Sequence, residues 1–185
     1  MIITLNGDEG AGKSTAGKRL AEALGYKFYY TGQIFRDLAK KRELTLVEYL
    51  KLGEKDPKID REVDDYVVAL SEREDDFLID SRMAWHFIPT SLKIYLKVDE
   101  KVGARRIHLN LREKNTRNEV KKEVTIDELV AKIKERRATD NKRYMQYYGV
   151  DIHNLKNYDF VLDTTGLDRN KAYEKIEEFV RSINK

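Results

Sequence analysis

Gly7-Asp8-Glu9-Gly10-Ala11-Gly12-Lys13-Ser14 fits the phosphate-binding pattern G-x-x-x-x-G-K-[ST], and its surroundings fit as well as its letters. Met1-Ile2-Ile3-Thr4-Leu5 before it is a short, apolar, β-branched run of buried-strand type, and Ala16 to Leu24 after it favours helix until Gly25 stops it. Strand, glycine-rich turn and helix are the context in which this motif works. Glycines let backbone N–H groups converge on phosphate oxygens, and the helix N-terminus adds the positive end of its dipole. Gly7 to Ser14 with Thr15 are therefore expected to cradle a nucleoside triphosphate. Lys13 would reach the β- and γ-phosphates, and the Ser14 hydroxyl would ligate Mg²⁺.

The 185 residues suffice for one sizeable core, so a single domain spanning 1–185 is expected. Lys and Arg number 36 against 33 Asp and Glu, a net charge of +3 that does not argue for a nucleic-acid partner. The absence of cysteine excludes disulfides, thiolate metal sites and a Cys nucleophile, and fits a reducing, cytoplasmic location. The first apolar run is too short for a signal peptide, and no stretch approaches a membrane span. The expected partners are small molecules, with no nucleic acid or membrane, and the expected state is a monomer.

Four further apolar runs predict strands: Lys27 to Tyr30, Phe77 to Ile79 ending at Asp80, Leu92 to Val98, and Tyr158 to Leu162 ending at Asp163. The alternation of apolar and basic residues in Leu92 to Val98 predicts an edge-type or half-buried strand. Segments of helical period separate the runs, and this alternation argues for a five-stranded parallel sheet with helices on both faces. Thr31 to Glu74 holds three helical pieces without a strand. Pro57 suits the first turn of the last, whose Ile59, Val63, Tyr66, Val67 and Leu70 share one face. A second interruption, from about Leu111 to Val124, has almost no apolar stripe and is expected to be mobile. Thr125-Ile126-Asp127-Glu128 then reads as a capping box opening a long basic helix through Tyr144.

On that helix Arg136, Asp140 and Arg143 fall at i, i+4 and i+7, placing a carboxylate between two guanidiniums on one face. Such a triplet can hold phosphate, and it can equally be a solvated ion-pair face. Asp80-Ser81-Arg82 follows a strand, and ligands in open α/β sheets bind beyond the strands' carboxyl ends. Asp80 can thus act on Mg²⁺ or its waters, and Arg82 on an acceptor phosphate. Arg36, Arg105 and Arg106 add cations. Phosphoryl transfer depends chiefly on positioning and on cations along the moving charge, and a phosphate acceptor needs them most. His86, His108 and His153 have no ligand-like spacing, and Trp85 beside Met83 reads as core or pocket wall.

Together these residues resemble the cytidylate kinases of the archaeal type, within the nucleoside monophosphate kinases. The resemblance rests on the loop Gly7 to Ser14, Thr31-Gly32-Gln33-Ile34-Phe35-Arg36, and Asp56-Pro57-Lys58-Ile59-Asp60. It also rests on Asp80-x-Arg82, on Lys134-Glu135-Arg136 with Asp140 and Arg143-Tyr144, and on Tyr147 to Asp151. It implies a three-layer P-loop kinase fold whose residues 31–76 bind the acceptor nucleotide and whose residues 111–125 form a lid. Thr31, Arg36, Arg82, Arg136, Asp140 and Arg143 would surround the acceptor. Lys13, Arg82, Arg136 and Arg143 would be catalytic, Arg106 with Arg112 and Arg117 would close onto ATP, and Ser14 with Asp80 would hold Mg²⁺. The implied reaction is phosphorylation of CMP or dCMP by ATP. Another acceptor, such as UMP, AMP or a small metabolite, and a non-catalytic nucleotide-binding regulator stay open. The chain departs from the family at Ser81, usually glycine, and at Asp8-Glu9, where Pro, Ser or Gly is usual. Acidic side chains pointing into the loop would weaken ATP binding.

Overall fold

The computed structural model describes residues 1–53, 57–114 and 124–183. Their five strands are β1 (Ile3–Gly7), β2 (Lys27–Tyr30), β3 (Phe77–Asp80), β4 (Leu92–Lys97) and β5 (Phe160–Asp163). They form a five-stranded sheet in the order β2-β3-β1-β4-β5, with β1 and β2 both parallel to β3. The helices are α1 (Lys13–Leu24), α2 (Thr31–Lys41), α3 (Leu46–Gly53), α4 (Pro57–Arg73), α5 (Ala84–Phe87), α6 (Glu100–Lys114), α7 (Ile126–Tyr148) and α8 (Arg169–Ile183). This is the five-stranded α/β sheet that the alternating pattern predicts, and it agrees with the three-layer fold that the resemblance implies.

The expected placement of β4 differs from the observed one. It is an interior strand, with Ile94, Tyr95 and Leu96 buried in succession. Its lysines flank the buried segment, and Lys93 Nζ donates to the carbonyls of Pro89 and Ser91 at 2.7 and 3.2 Å. A parallel strand covered on both faces needs a continuous apolar run, and basic neighbours disguise this one as alternation. β5 begins two residues later than predicted, because a 3-10 turn at Leu155–Asn157 precedes it and Tyr158 caps that turn.

Two compact units make up the chain: Met1–Asn6 with Ser14–Ile94, and Gly7–Lys13 with Tyr95–Lys185. In the first, α2 to α4 bury Ile34, Leu38, Tyr49, Ile59, Val63, Val67 and Leu70 with Phe77 and Ile79 of β3. The predicted α4 face is the buried face, and Tyr66 packs at its margin. Pro57 is the first residue of α4, where its missing N–H costs no helical bond. In the second unit Leu129 and Ile133 of α7 pack with Ala104 of α6. α6 stays helical through Lys114, so the polar stretch from Leu111 begins as helix. Of the lid expected at 111–125, residues 115–123 with Arg117 lie outside the described residues, as does Asp56. The predicted capping box is present. Thr125 Oγ1 accepts from the Glu128 amide at 3.2 Å, and the Glu128 carboxylate accepts from the Thr125 amide at 2.8 Å. The Thr125 amide, and then its hydroxyl, both donating to the Glu128 carboxylate, hold that carboxyl below its ordinary range. α7 runs four residues beyond Tyr144 and ends at Gly149 in the left-handed conformation.

Candidate active site

Register in the first unit aligns β1, β2 and β3 at Asp80. Leu5 of β1 and Tyr30 of β2 both pair with Asp80 of β3. Residues just beyond these three positions therefore emerge along one carboxyl edge, where ligands of open α/β sheets bind. Ser14, in the first turn of α1, donates its hydroxyl to Asp80 Oδ2 at 2.7 Å. Thr31 at the start of α2 donates to the Asp80 carbonyl at 3.2 Å. The two residues predicted to hold Mg²⁺ are thus adjacent, and hydroxyl and carboxylate are the hard oxygen donors that ion takes. Among the described residues no group of three or more His, Asp or Glu could hold a metal. Mg²⁺ typically takes one or two protein oxygens and completes its shell with water and phosphate, so the pair fits it.

Arg36 Nη1 donates to the Tyr30 hydroxyl at 2.6 Å and to the Gly32 carbonyl at 3.0 Å, with the guanidinium over the Tyr30 ring. The backbone at Arg82 is fixed from three directions. Its carbonyl accepts from Trp85 Nε1 at 2.9 Å and from Asn6 Nδ2 at 3.3 Å. Before it, the Ser81 amide donates to the Leu5 carbonyl at 3.1 Å, extending the β1–β3 pairing by one residue. Ser81 is buried, and its hydroxyl accepts from the amides of Met83 and Ala84 at 3.3 and 3.2 Å. The serine that replaces the usual glycine therefore caps the turn into α5. Met83 and Trp85 are both buried.

In the second unit the phosphate loop packs tightly against its surroundings. Gly10 has φ +79°, and a Cβ there would stand 2.3 Å from the Gly103 carbonyl oxygen of α6. Only glycine tolerates both the conformation and the approach. Lys13 Nζ donates to the Gly7 and Asp8 carbonyls at 2.7 and 2.8 Å. Arg106 is heavily engaged. Its Nη2 donates to the carbonyls of Thr164, Thr165 and Leu167 at 2.8, 3.3 and 3.0 Å, and its Nη1 reaches Gly10 O at 3.5 Å. The guanidinium expected to meet ATP here pins the turn after β5.

The predicted triplet on α7 comes together. Buried Asp140 lies 3.8 Å from Arg136 Nε and 3.4 Å from Arg143 Nη2. The Arg143 guanidinium also contacts the Tyr144 hydroxyl at 3.3 Å and stands over its ring. These are loose ion pairs around one carboxylate, a geometry that orients both guanidiniums.

Arg137 is the residue that sequence reasoning passed over. Its Nη2 lies 2.6 Å from Asp8 Oδ1, and its Nε donates to Glu9 Oε2 at 3.0 Å. Asp8 is buried and accepts further from the Tyr95 hydroxyl at 2.6 Å and the Val98 amide at 2.9 Å. Both acids of the phosphate loop are thereby held by protein donors. Burial lowers the Arg137 pKa, but the charges of Asp8 and Glu9 outweigh it and raise the net value. Burial, then the bond to Asp8, pushes the Tyr95 phenol well above its ordinary range. Burial, then the Arg137 charge, lowers the pKa of His153, whose Nδ1 lies 3.2 Å from the Tyr95 hydroxyl. Only part of the signal was in the sequence. Leu129, Ile133 and Arg137 recur at i, i+4 and i+8, so an arginine occupies the buried stripe of α7 while two acids sit in the loop.

Comparison with known proteins shows which family the chain resembles. Residues 2–166 match the model of the cytidylate kinase-like family. A cytidylate kinase of Pyrococcus furiosus is 38% identical over 166 residues, covering 89% of this chain and 80% of that protein. A cytidylate kinase of Methanocorpusculum labreanum is 33% identical over 186 residues, covering 100% and 99%. In fold, the shikimate kinase structure from Bacteroides thetaiotaomicron superposes with a TM-score of 0.66 at 17% identity, covering 98% of each chain. No described helix is long and apolar enough to cross a membrane. With a family match over residues 2–166 and cytidylate kinase relatives at 33–38% identity, the chain belongs to the cytidylate kinase-like family.

Proposed function

We propose that the protein phosphorylates CMP or dCMP at the expense of ATP, forming the nucleoside diphosphate and ADP. The observation that carries this reading is the Ser14–Asp80–Thr31 junction, which joins the start of α1 to the carboxyl ends of β2 and β3. An oxygen of the acceptor's phosphate attacks the γ-phosphorus, and the bond from that phosphorus to the β–γ bridging oxygen breaks. The acceptor phosphate is already ionised at neutral pH, so no general base is required. The chain's part is positioning and charge neutralisation. Lys13 exchanges the carbonyls of Gly7 and Asp8 for phosphate oxygens. Arg36 and Arg82 hold the acceptor phosphate, and Arg136 and Arg143, aligned by Asp140, neutralise the transferring group. Mg²⁺, when held by Ser14 and Asp80, supplies charge stabilisation to the phosphates. Residues 31–76 serve the acceptor, and 111–125 serve as the lid. The relatives named above support the pyrimidine acceptor, as do Thr31-Gly32 with Arg36 and Arg136 with Asp140 and Arg143.

The test is ADP release from ATP and Mg²⁺ against CMP, dCMP, UMP, AMP, GMP and no acceptor. Stimulation by CMP or dCMP is expected. Stimulation by another nucleotide alone overturns the assigned acceptor, and ATP binding without any acceptor-dependent turnover overturns the kinase reading.

A further inference from the structure

We propose that Arg137 is a positioning residue for the triphosphate, acting through the two acids of the phosphate loop. The argument begins with charge. A loop that must accept a polyanion carries Asp8 and Glu9 within its own eight residues. Left to themselves, two carboxylates would repel a triphosphate through the poorly screened medium of a partly buried site. One guanidinium meets both: Nη2 lies 2.6 Å from Asp8 Oδ1, and Nε lies 3.0 Å from Glu9 Oε2. The side chains concerned are only 20%, 9% and 16% exposed, so water contributes little of the compensation. The remaining Asp8 oxygen accepts the Val98 amide, and the Tyr95 hydroxyl donates to the first. Arg137 thus fixes the direction of both carboxylates and anchors the loop to the helix that carries Arg136, Asp140 and Arg143. Lysine could not do the same. Its single ammonium lacks the planar fork that reaches two carboxylates along separate N–H vectors.

This inference rests on the reading that the loop binds ATP, and the test separates the two. Affinities for ATP, ADP and adenosine are measured by displacement of a fluorescent ATP analogue, in wild type, Arg137→Met, Arg137→Lys and the triple variant Asp8→Asn/Glu9→Gln/Arg137→Met. Failure of wild type to bind ATP overturns the ATP reading itself. With wild-type binding present, Arg137→Met is expected to weaken ATP at least tenfold, ADP less, and adenosine less than twofold. Arg137→Lys should recover only part of the loss. The triple variant, with the acids neutralised, should return to within threefold of wild type. A merely structural role would weaken all three ligands alike and would show no rescue by neutralising the acids. Equal losses, or ATP binding within twofold of wild type in folded Arg137→Met, overturn the proposal. Should Arg137→Met not fold, Glu9→Gln in the wild-type background decides. Removing one negative charge beside the loop should tighten ATP at least twofold while leaving adenosine unchanged, and unchanged ATP affinity overturns the proposal.

Discussion

Replacing Gly103 by alanine tests how closely α6 supports the phosphate loop. Gly103 lies inside α6, and a Cβ there would stand 2.4 Å from the Glu9 carbonyl oxygen and 3.1 Å from Val98 Cγ1. The first of these is a backbone atom, so no rotamer change relieves the clash. Opening 2.4 Å to the 3.4 Å of ordinary contact moves the loop or the helix by about 1 Å. Alanine gains about 1 kcal/mol over glycine inside a helix, and overpacking costs about 1–3 kcal/mol, so net stability should fall by no more than about 2 kcal/mol. A misplacement of about 1 Å in a catalytic site costs about 100-fold in rate, or about 2.7 kcal/mol. The variant is therefore expected to stay folded, with a Tm only a few degrees lower, while kcat/KM for ATP with CMP as acceptor falls about 100-fold. Gly25→Ala is the control. At φ +70° in open space it should cost about 1–2 kcal/mol of stability from left-handed strain and leave kcat/KM unchanged. A folded Gly103→Ala enzyme with kcat/KM within threefold of wild type would refute the reasoning.

Three other outcomes are expected. Lys13→Ala should keep its circular dichroism and Tm while acceptor-dependent ADP release falls by about 100-fold or more, since positioned cations dominate this chemistry; near-normal turnover would sink the mechanism. Trp85→Phe removes the 2.9 Å bond to the Arg82 carbonyl, at a cost of about 1 kcal/mol in urea denaturation. It should also raise KM for CMP several-fold with KM for ATP unchanged, and a change confined to ATP would contradict the role given to Arg82. His153→Gln should reduce the loss of stability on acidification. The pKa of His153 is lowered in the folded chain, so the unfolded chain binds the proton more readily. Its contribution is fully present above about pH 6.5 and is lost as pH falls below that value. Urea midpoints at pH 7.5, 6.5 and 5.5 that fall equally in variant and wild type would exclude this origin.

What could be read from the sequence was governed by local signals. The strand and helix that flank the loop, the α4 face and the Thr125–Glu128 cap each depend on residues within a few positions of one another, and each is observed. The location of β4 was hidden because lysines flanking Ile94 to Leu96 imitate a half-exposed strand. The Ser14–Asp80 pair was legible because a strand end and a helix start are both recognisable by pattern. The Arg137 bridge spans 128 residues, and no local rule connects an arginine in an apolar stripe to acids so far away. Likewise Arg106 reads as one more cation for the phosphates, whereas four carbonyl contacts occupy it.

Those carbonyl contacts bear on when the loop takes its final form. Arg106 grips Gly10 and the Thr164 to Leu167 turn, and the Thr164 hydroxyl faces the Ala11 carbonyl at 3.2 Å. The glycine-rich segment is therefore braced by residues that follow it by as much as 153 positions in the chain. Contacts of such sequence separation form late, because the whole intervening chain must first be ordered. During synthesis the glycine-rich segment waits without this support until the turn after β5 has left the exit tunnel. The loop therefore reaches its final form only after the turn that follows β5 has been made and docked.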